Sequence, residues 1–394
     1  MKGGMDNERY MARRPKGGGL VNSEEMLRSV MARFVDNEIA PIANDLDEKE
    51  TFPRELFHRI ADMGCYSIRY PKEAGGAGGN NTHFCIMCEE LARGSMSVAA
   101  FTAMQCLMGT DFLFKFGTEE LRNKYFHPAM RGEKVAAFCL TEPGGGTDLA
   151  AVTTMAKKTA DDVVVTGYKT WVTNGPVADF FTVLCQTDRS KGPKGFNFFF
   201  IPRDLPGVVV TKKFSKMGTR ATEISEVIFR EVHIPRDHQF GPDGRGAAML
   251  SSKLEEIRIM TAALSLGLAR AAFDASLKYA NEREAFGKPI GKFQAIQMKL
   301  ATMATEIEAS RLMIYNCTMM MDEGKPAMKE ASMAKYFASE VACRAADEAT
   351  RIFGAYAYSN EYSASRFYRD TRFLLYGGGT SEILQVIIAK EIGL

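Results

Sequence analysis

"FCLTEPGGGTDLAA" (residues 138–151) ends a strand-like run at Leu140 and then carries three consecutive glycines, Gly144 to Gly146. Thr141 and Thr147 bracket the glycines with two hydroxyls. Glycines without Cβ atoms let a backbone approach a ligand, and successive N–H groups form a nest for phosphate or for the polar edge of a heterocycle. The same pattern also describes a plain glycine-rich hairpin, and spacing alone does not separate the two. No Gly-Lys-Ser/Thr follows, so this is not a Walker A loop.

On either side of this loop the texture is that of strands. "VAAFCLTE", "VVVTGYKTWVTNG", "DFFTVLCQT", "FNFFFIP", "GVVVTKKF" and "EISEVIFREVHIP" are β-branched and aromatic, and Gly, Pro and Asp turns cut them. The flanking segments have helical periodicity. Upstream, "SEEMLRSVMARFVDNEIAPIAND" opens with Ser23 as its expected N-cap, and "PRELFHRIADMG" starts with Pro53 in the first turn and stops at Gly64. "TEELRNKYFHPAMRG" opens on a Thr118 cap. Downstream, helices are expected over residues 247–282, 291–322, 328–356 and 379–391, as in a helix bundle, with Met319 to Met321 filling its core.

The chain of 394 residues is too long for one ordinary core. Its expected organisation is α+β: a flexible extension over 1–21, a helical unit over 22–133, a compact β unit over 134–242 and a helical bundle over 243–394. A net charge of +2 gives no reason to invoke nucleic acid or an anionic membrane. The densest apolar run, "GFNFFFIP" (195–202), is far shorter than the roughly 18 residues of a membrane span. The N-terminus lacks the apolar core of a secretory signal, so a cytoplasmic setting with reduced cysteines is the expectation. Cys85 and Cys88 form a CxxC, but together with Leu91 they fall on one helical face and read as packing. The five histidines show no zinc-ligand spacing, and no metal is expected.

Two further motifs stand out. "KTWVTNG" (169–175) holds the only tryptophan, Trp171, which can stack on a flat ring or fill a core. "NEREAFGKPIGKFQ" (281–294) bends between two helices, and Arg283 there can meet a pyrophosphate or water.

The order and spacing of "LTEPGGGTD", "KTWVTN", "SKMGTRATEISEVIFREVHIP", "REAFGKPIGKFQ" and "GGTSEI" resemble the acyl-CoA dehydrogenase family of flavoproteins, from about residue 22 to the end. The resemblance implies an N-terminal helical domain, a middle β-barrel and a C-terminal four-helix bundle. It also implies FAD, an acyl-CoA substrate, an electron-transfer flavoprotein as acceptor, and a homotetramer or dimer.

By match to the family's motifs, Phe138, Leu140, Thr141, Gly146 and Thr147 lie along the flavin, and Thr147 also approaches the acyl-CoA. Trp171 and Thr173 border the isoalloxazine. Arg283, Phe286 and Gln294 meet the nucleotide half, often across a subunit boundary. Thr380 and Glu382, at a helix start, serve its pyrophosphate or adenine side. "RIFGAYAY" corresponds to a glycine-rich family segment: Arg351 stands for the usual Gln, and Gly354 keeps a cofactor contact. Glu255 and Arg258 share a helical face and match positions that hold the CoA arm, while Gly378 and Gly379 border the acyl group.

The family reaction removes an α-proton, which calls for a carboxylate. Most members place Glu just before "GTS", where this chain has Gly378; others place it on the long helix, where this chain has Ile257. Glu256 is one residue off, turned by roughly 100° around the helix. Three readings follow. In the first, the base has moved to residues 97–111, with Gln105 as the pocket candidate and Asp111 as a more remote one, on an alicyclic or branched acyl-CoA. In the second, a leaving group departs without α-proton abstraction, as in the family's sulfinate-releasing desulfinases. In the third, the protein binds flavin without catalysis.

Overall fold

The computed structural model describes residues 20–394, so most of the extension expected over 1–21 lies outside the described residues. Eight helices come first: α1 (Leu20–Phe34), α2 (Ala43–Lys49), α3 (Arg54–Asp62), α4 (Asn81–Gly94), α5 (Met96–Ala103), α6 (Asp111–Phe116), α7 (Glu119–Leu121) and α8 (His127–Met130). Thr118 caps α7 by accepting from the Leu121 N–H at 3.2 Å. Ser23 is not a cap, because α1 is already under way at Leu20 and the Ser23 hydroxyl lies 3.3 Å from His83 Nε2. Pro53 is the residue before α3 rather than part of its first turn. Cys85, Cys88 and Leu91 are buried side by side on α4, with both thiols free.

Eight strands follow: β1 (Ala136–Cys139), β2 (Met155–Lys158), β3 (Asp162–Thr173), β4 (Phe180–Gln186), β5 (Phe196–Pro202), β6 (Val208–Val210), β7 (Ile224–Pro235) and β8 (Gln239–Phe240). They form one sheet in the order β6-β7-β3-β2-β4-β5-β8, with β1 parallel to β4. The barrel expected from the resemblance is therefore corrected to an open sheet. Its end strands β6 and β8 are three and two residues long, too short to pair across the gap. Strands β4 and β5 are buried on both faces, which explains the density of "FNFFFIP". Alternate residues face two cores. Phe180, Leu184, Phe198 and Phe200 pack with Phe112, Tyr125 and Phe126 of the helical segment. Phe181, Val183, Phe199 and Ile201 pack with Val165, Val227 and Phe229 of the sheet.

The chain then returns to helices: α9 (Gly246–Glu282), α10 (Gln294–Asp322), α11 (Met328–Phe353), α12 (Ser363–Leu374) and α13 (Ser381–Glu391). The expected helix over 328–356 ends at Phe353, where Gly354 leaves the helical path at φ 62°. The sequence reading contains no counterpart of α12, whose apolar residues are interleaved with Arg366, Arg369, Asp370 and Arg372.

Helix α9 is the axis of the molecule. It packs on α4 at Gly267, where a Cβ would stand 2.1 Å from the Glu89 carbonyl oxygen, so only glycine admits the approach. Around that contact Glu89 and Glu90, both 1% exposed, bind Arg28, Arg270 and Tyr315. One run, Met96–Phe116, does have the length and apolarity of a membrane span, contrary to the sequence reading. It is 83% buried within the protein, where it lies between α4, α9 and the sheet.

Candidate active site

The loop after β1 is fixed from beneath. Glu142 is 5% exposed and accepts from Lys169 Nζ at 2.8 Å, from the Thr153 N–H at 2.7 Å and from the Thr154 N–H at 2.9 Å. Burial pushes the Glu142 carboxyl up, but Lys169 and the threonine bonds hold it at about 2. Glu142 and Gly145 exchange main-chain bonds of 3.1 and 3.0 Å, which close a tight turn. Gly144, Gly146 and Thr147 are left exposed on its rim, and a Cβ at Gly144 would meet nothing within 4 Å. Leu140 and Thr141 are half-buried beside it. The Phe138 side chain belongs instead to the core, its ring centroid 5.6 Å from that of Phe198. Any ligand contact at Phe138 therefore falls to its main chain.

Trp171 follows at once, because the Thr170 N–H donates to the Thr141 carbonyl at 2.9 Å and ties β3 to the loop. The β3–β7 pairing slips between Lys169 and Val172, and Trp171 takes a left-handed φ of 56°. A bulge of this kind re-aims a side chain. The ring is 61% exposed, braced edge-on by Phe214 at 5.0 Å, and so is not core packing. Thr173, half-buried, ends the strand.

Opposite the usual base positions the geometry is close. Gly378 has φ 74°, and a Cβ there would stand 3.0 Å from Thr261 Oγ1 and 3.5 Å from Ile257 Cγ2. Gly378 and Ile257, the two positions that the resemblance matches to a carboxylate, thus meet on one wall. Glu256 is drawn into a buried charge cluster, bonded to Arg69 and lying 3.0 Å from Lys253 Nζ. Gln105, expected as a pocket residue, is engaged by the main chain. Its amide donates to the Ala129 and Lys134 carbonyls at 3.0 and 2.8 Å and its oxygen accepts from the Ala136 N–H at 2.8 Å, so it locks the helical segment to β1. Asp111 is 4% exposed and paired with Lys253 at 2.6 Å and Lys115 at 3.0 Å.

Arg258 is 6% exposed beside Met328 and Ser332, and its Nε has no partner among the described residues. Burial lowers its pKa, against the pull of Glu255. Glu255 accepts from the Ala327 N–H at 3.1 Å, and burial raises its carboxyl. The two share the side of α9 that faces the start of α11.

The residues matched to a nucleotide lie apart from the sheet. A two-residue turn at Phe286 (φ 52°) and Gly287 (φ 77°) joins β9 (Glu284–Ala285) to β10 (Lys288–Pro289) and leaves the Phe286 ring 96% exposed. Arg283 lies 5.7 Å over the Tyr356 ring, and exposed Gln294 opens α10. Arg351 is exposed and paired with Asp347 at 2.7 Å, and Gly354 faces open space. Among the described residues no hydrogen bond or ring contact joins this group to the loop at 141–147. Thr380 caps α13 by accepting from the Ile383 N–H at 3.3 Å, with Glu382 exposed in its first turn.

These features fit a flavin nucleotide. An outward-held indole beside an open glycine loop suits a flat ring, and a capped helix start suits a pyrophosphate. Sequence reading missed the Glu142–Lys169 pair, Thr261 and the fixing of Gln105. A Glu and a Lys 27 positions apart carry no local signal, and only the folded sheet makes them partners.

Models of the acyl-CoA dehydrogenase N-terminal, middle and C-terminal domains match residues 22–133, 137–232 and 244–393. Benzylmalonyl-CoA dehydrogenase of Aromatoleum aromaticum is 45% identical over 95% of this chain and 98% of its own length. The caffeyl-CoA reductase-Etf complex subunit CarC of Acetobacterium woodii is 36% identical over 93% and 97%. Among solved structures, a glutaryl-CoA dehydrogenase from Mycobacterium smegmatis in complex with FADH2 superposes with a TM-score of 0.89 at 28% identity, covering 94% of each chain. The chain belongs to the acyl-CoA dehydrogenase family, whose members are FAD-dependent oxidoreductases.

Proposed function

We propose that this chain oxidises a branched, alicyclic or aryl-bearing acyl-CoA thioester without a protein carboxylate at either usual position. The observation that carries this reading is the wall formed by Gly378, Ile257 and Thr261, packed closely enough that a Cβ at Gly378 would stand 3.0 Å from Thr261 Oγ1, and bearing no carboxylate. FAD, when bound, supplies the hydride acceptor. The chain's own residues do the rest. Arg258 Nε, a buried donor without a partner, and Glu255 hold the CoA arm, with Thr147 near the thioester. Ile257 and the glycines exclude water from the α-carbon. The Thr261 hydroxyl keeps its proton and donates it to the Ile257 carbonyl at 2.8 Å, and a neutral hydroxyl is too weak a base to take the α-proton.

A base relocated to residues 97–111 is the first alternative, but Gln105 is fully bonded and Asp111 is ion-paired. The reading favoured here is that the α-carbon obtains its electron pair from a departing group. A malonyl thioester, as in the name of the 45% identical relative, bears a carboxylate on that carbon. Its loss as CO2 leaves the pair behind, and no protein base is required. An apolar wall assists, because a carboxylate stripped of water is destabilised relative to CO2. A sulfinate group lost as SO2, which water converts to sulfite, would likewise leave its electron pair on carbon.

An electron-transfer flavoprotein is the proposed acceptor. The bare Phe286 ring supports a second copy of the chain seated on that hairpin, within a dimer or tetramer. The test offers the FAD-loaded protein benzylmalonyl-CoA, a sulfinate-bearing acyl-CoA and butyryl-CoA, while following flavin absorbance, CO2 and sulfite. Bleaching with equimolar CO2 from the first supports the favoured reading. Sulfite release without bleaching supports elimination. Fast bleaching by butyryl-CoA alone restores a relocated base, and failure to bind FAD overturns the whole reading.

A further inference from the structure

Lys335 on α11 is 0% exposed, and among the described residues no carboxylate lies within ion-pair reach of it. Its Nζ donates to the Gly379 carbonyl at 2.6 Å and lies 3.5 Å from the Leu375 carbonyl. Those carbonyls bound a strap whose other main-chain bonds are short turn contacts, from the Tyr376 and Gly377 N–H groups to the Phe373 carbonyl at 3.1 and 3.0 Å and from the Gly379 N–H to the Tyr376 carbonyl at 3.3 Å. Gly377, Gly378 and Gly379 bring no side chains to pack, and the last two sit at φ 74° and 110°. Each glycine loses more backbone freedom on ordering than any other residue. Leu375 closes the C-terminus of α12, where helix carbonyls carry partial negative charge and favour a cation.

The same helix makes three further contacts around the strap. Tyr336 accepts from Gln385 Nε2 at 2.9 Å, Glu340 accepts from the Ser381 hydroxyl at 2.7 Å, and Ser332 lies 3.4 Å from Arg258 Nη1.

We propose that Lys335 is the positioning residue of the active-site wall: its buried ammonium clamps the carbonyls at both ends of the 375–379 strap and so fixes Gly378 against Ile257 and Thr261. This deepens the proposed function and rests on it for the identity of the wall. The clamp also sets Thr380 at the head of α13, one residue beyond the bonded carbonyl.

Burial is the largest influence on this ammonium and lowers its pKa. Glu340 opposes, Arg258 from α9 lowers it further, and Cys343 on α11 and Glu382 on α13 oppose, leaving it at about 8. Two consequences have opposite sign. As pH rises from about 8 towards the ordinary lysine value, the unfolded chain holds the proton that the native one has lost, so this group's contribution to global stability rises. The strap loses its charged donor over the same range and loosens. A residue that merely filled space would couple neither quantity to pH.

The experiment is amide hydrogen exchange of the FAD-loaded protein, read on peptides covering residues 375–381 and corrected for intrinsic rates, from about pH 6.5 to about pH 9.5. The wild type is expected to lose about tenfold protection there, with a midpoint near 8, while α4 and α9 stay protected. Lys335→Met is expected to be unprotected throughout, and Lys335→Arg protected throughout. Flat wild-type protection, or wild-type protection in Lys335→Met, overturns the proposal. If the Arg variant does not fold, the wild-type titration decides alone. Failure of every acyl-CoA to bleach the flavin sinks the function proposed above without touching this readout.

Discussion

Replacing Gly378 with alanine separates the backbone of the wall from its chemistry. An L-residue in the left-handed region costs roughly 1–2 kcal/mol, and Gly378 sits there at φ 74°. The added methyl would also lie 3.0 Å from Thr261 Oγ1, which cannot swing aside without breaking its 2.8 Å bond to Ile257. Overpacking of this kind costs about 1–3 kcal/mol. Taking its low end, Gly378→Ala is expected to cost about 2–3 kcal/mol, a fall of roughly 2–4 °C in melting temperature for a chain of 394 residues. The assay is thermal and urea unfolding of the FAD-loaded protein, alongside Thr261→Ala and the double variant. Because the two sites touch, the double variant should recover about 1 kcal/mol of the contact and keep the backbone cost. A melting point within about 1 °C of wild type would refute the reasoning, since the strap would then not be held left-handed in solution. Gly378→Glu adds the carboxylate on the same backbone. It is expected to raise turnover of butyryl-CoA and lower that of a 2-substituted malonyl-CoA; unchanged turnover of both would count against the emptied wall.

Other outcomes can be checked independently. Burial raises the Glu89 carboxyl, but Arg270, Arg28 and the Tyr315 hydroxyl more than reverse this and hold it at about 2. Its stabilisation is therefore complete above the ordinary carboxylate pKa and lost as pH falls towards about 2, and urea midpoints across that window should show the loss. Glu89→Gln should lack that pH-dependent component and be about 3–5 kcal/mol less stable at neutral pH, because its arginines stay buried. Lys169→Met leaves Glu142 buried and unpaired, so a loss of about 3–5 kcal/mol and weaker FAD retention are expected, by melting and by flavin release on gel filtration. Trp171→Ala removes a mostly exposed ring and should change apoprotein stability by less than about 1 kcal/mol, while FAD affinity falls about tenfold or more; a stability loss as large as that of a core aromatic would place the indole in the core instead.

How far the sequence could be read follows from the range of each signal. The aromatic run "FNFFFIP" and the Thr118 cap are local signals, and the strand and the cap formed as expected. The proposed match of Gly378 to a carboxylate position was legible in the local motif "GGTSEI". The contact between Gly378 and Ile257 was not, since 121 residues separate them and only α9 brings them together. Helix α12 escaped notice because Arg366 and Asp370, which read as surface, are 7% and 2% exposed. Closure of the sheet escaped too, because the lengths of β6 and β8 depend on where their partners end.

The arginine and glutamate knot at Gly267 bears on how the chain is made. Arg28 on α1 bonds Tyr315 on α10, 287 residues later, and Glu89 awaits Arg270. One apolar cluster runs from Met31 to Leu374. The sequence divides into helical, strand and helical segments, but the first helices bury their apolar faces and charges against the last. During synthesis they emerge with neither covered until more than three hundred residues exist, so much of the folding waits for the end of translation. Removing α10 and α11 would leave the N-terminal helices exposed as a sticky fragment rather than as a smaller protein, and fusion or truncation boundaries drawn between the segments should yield aggregates.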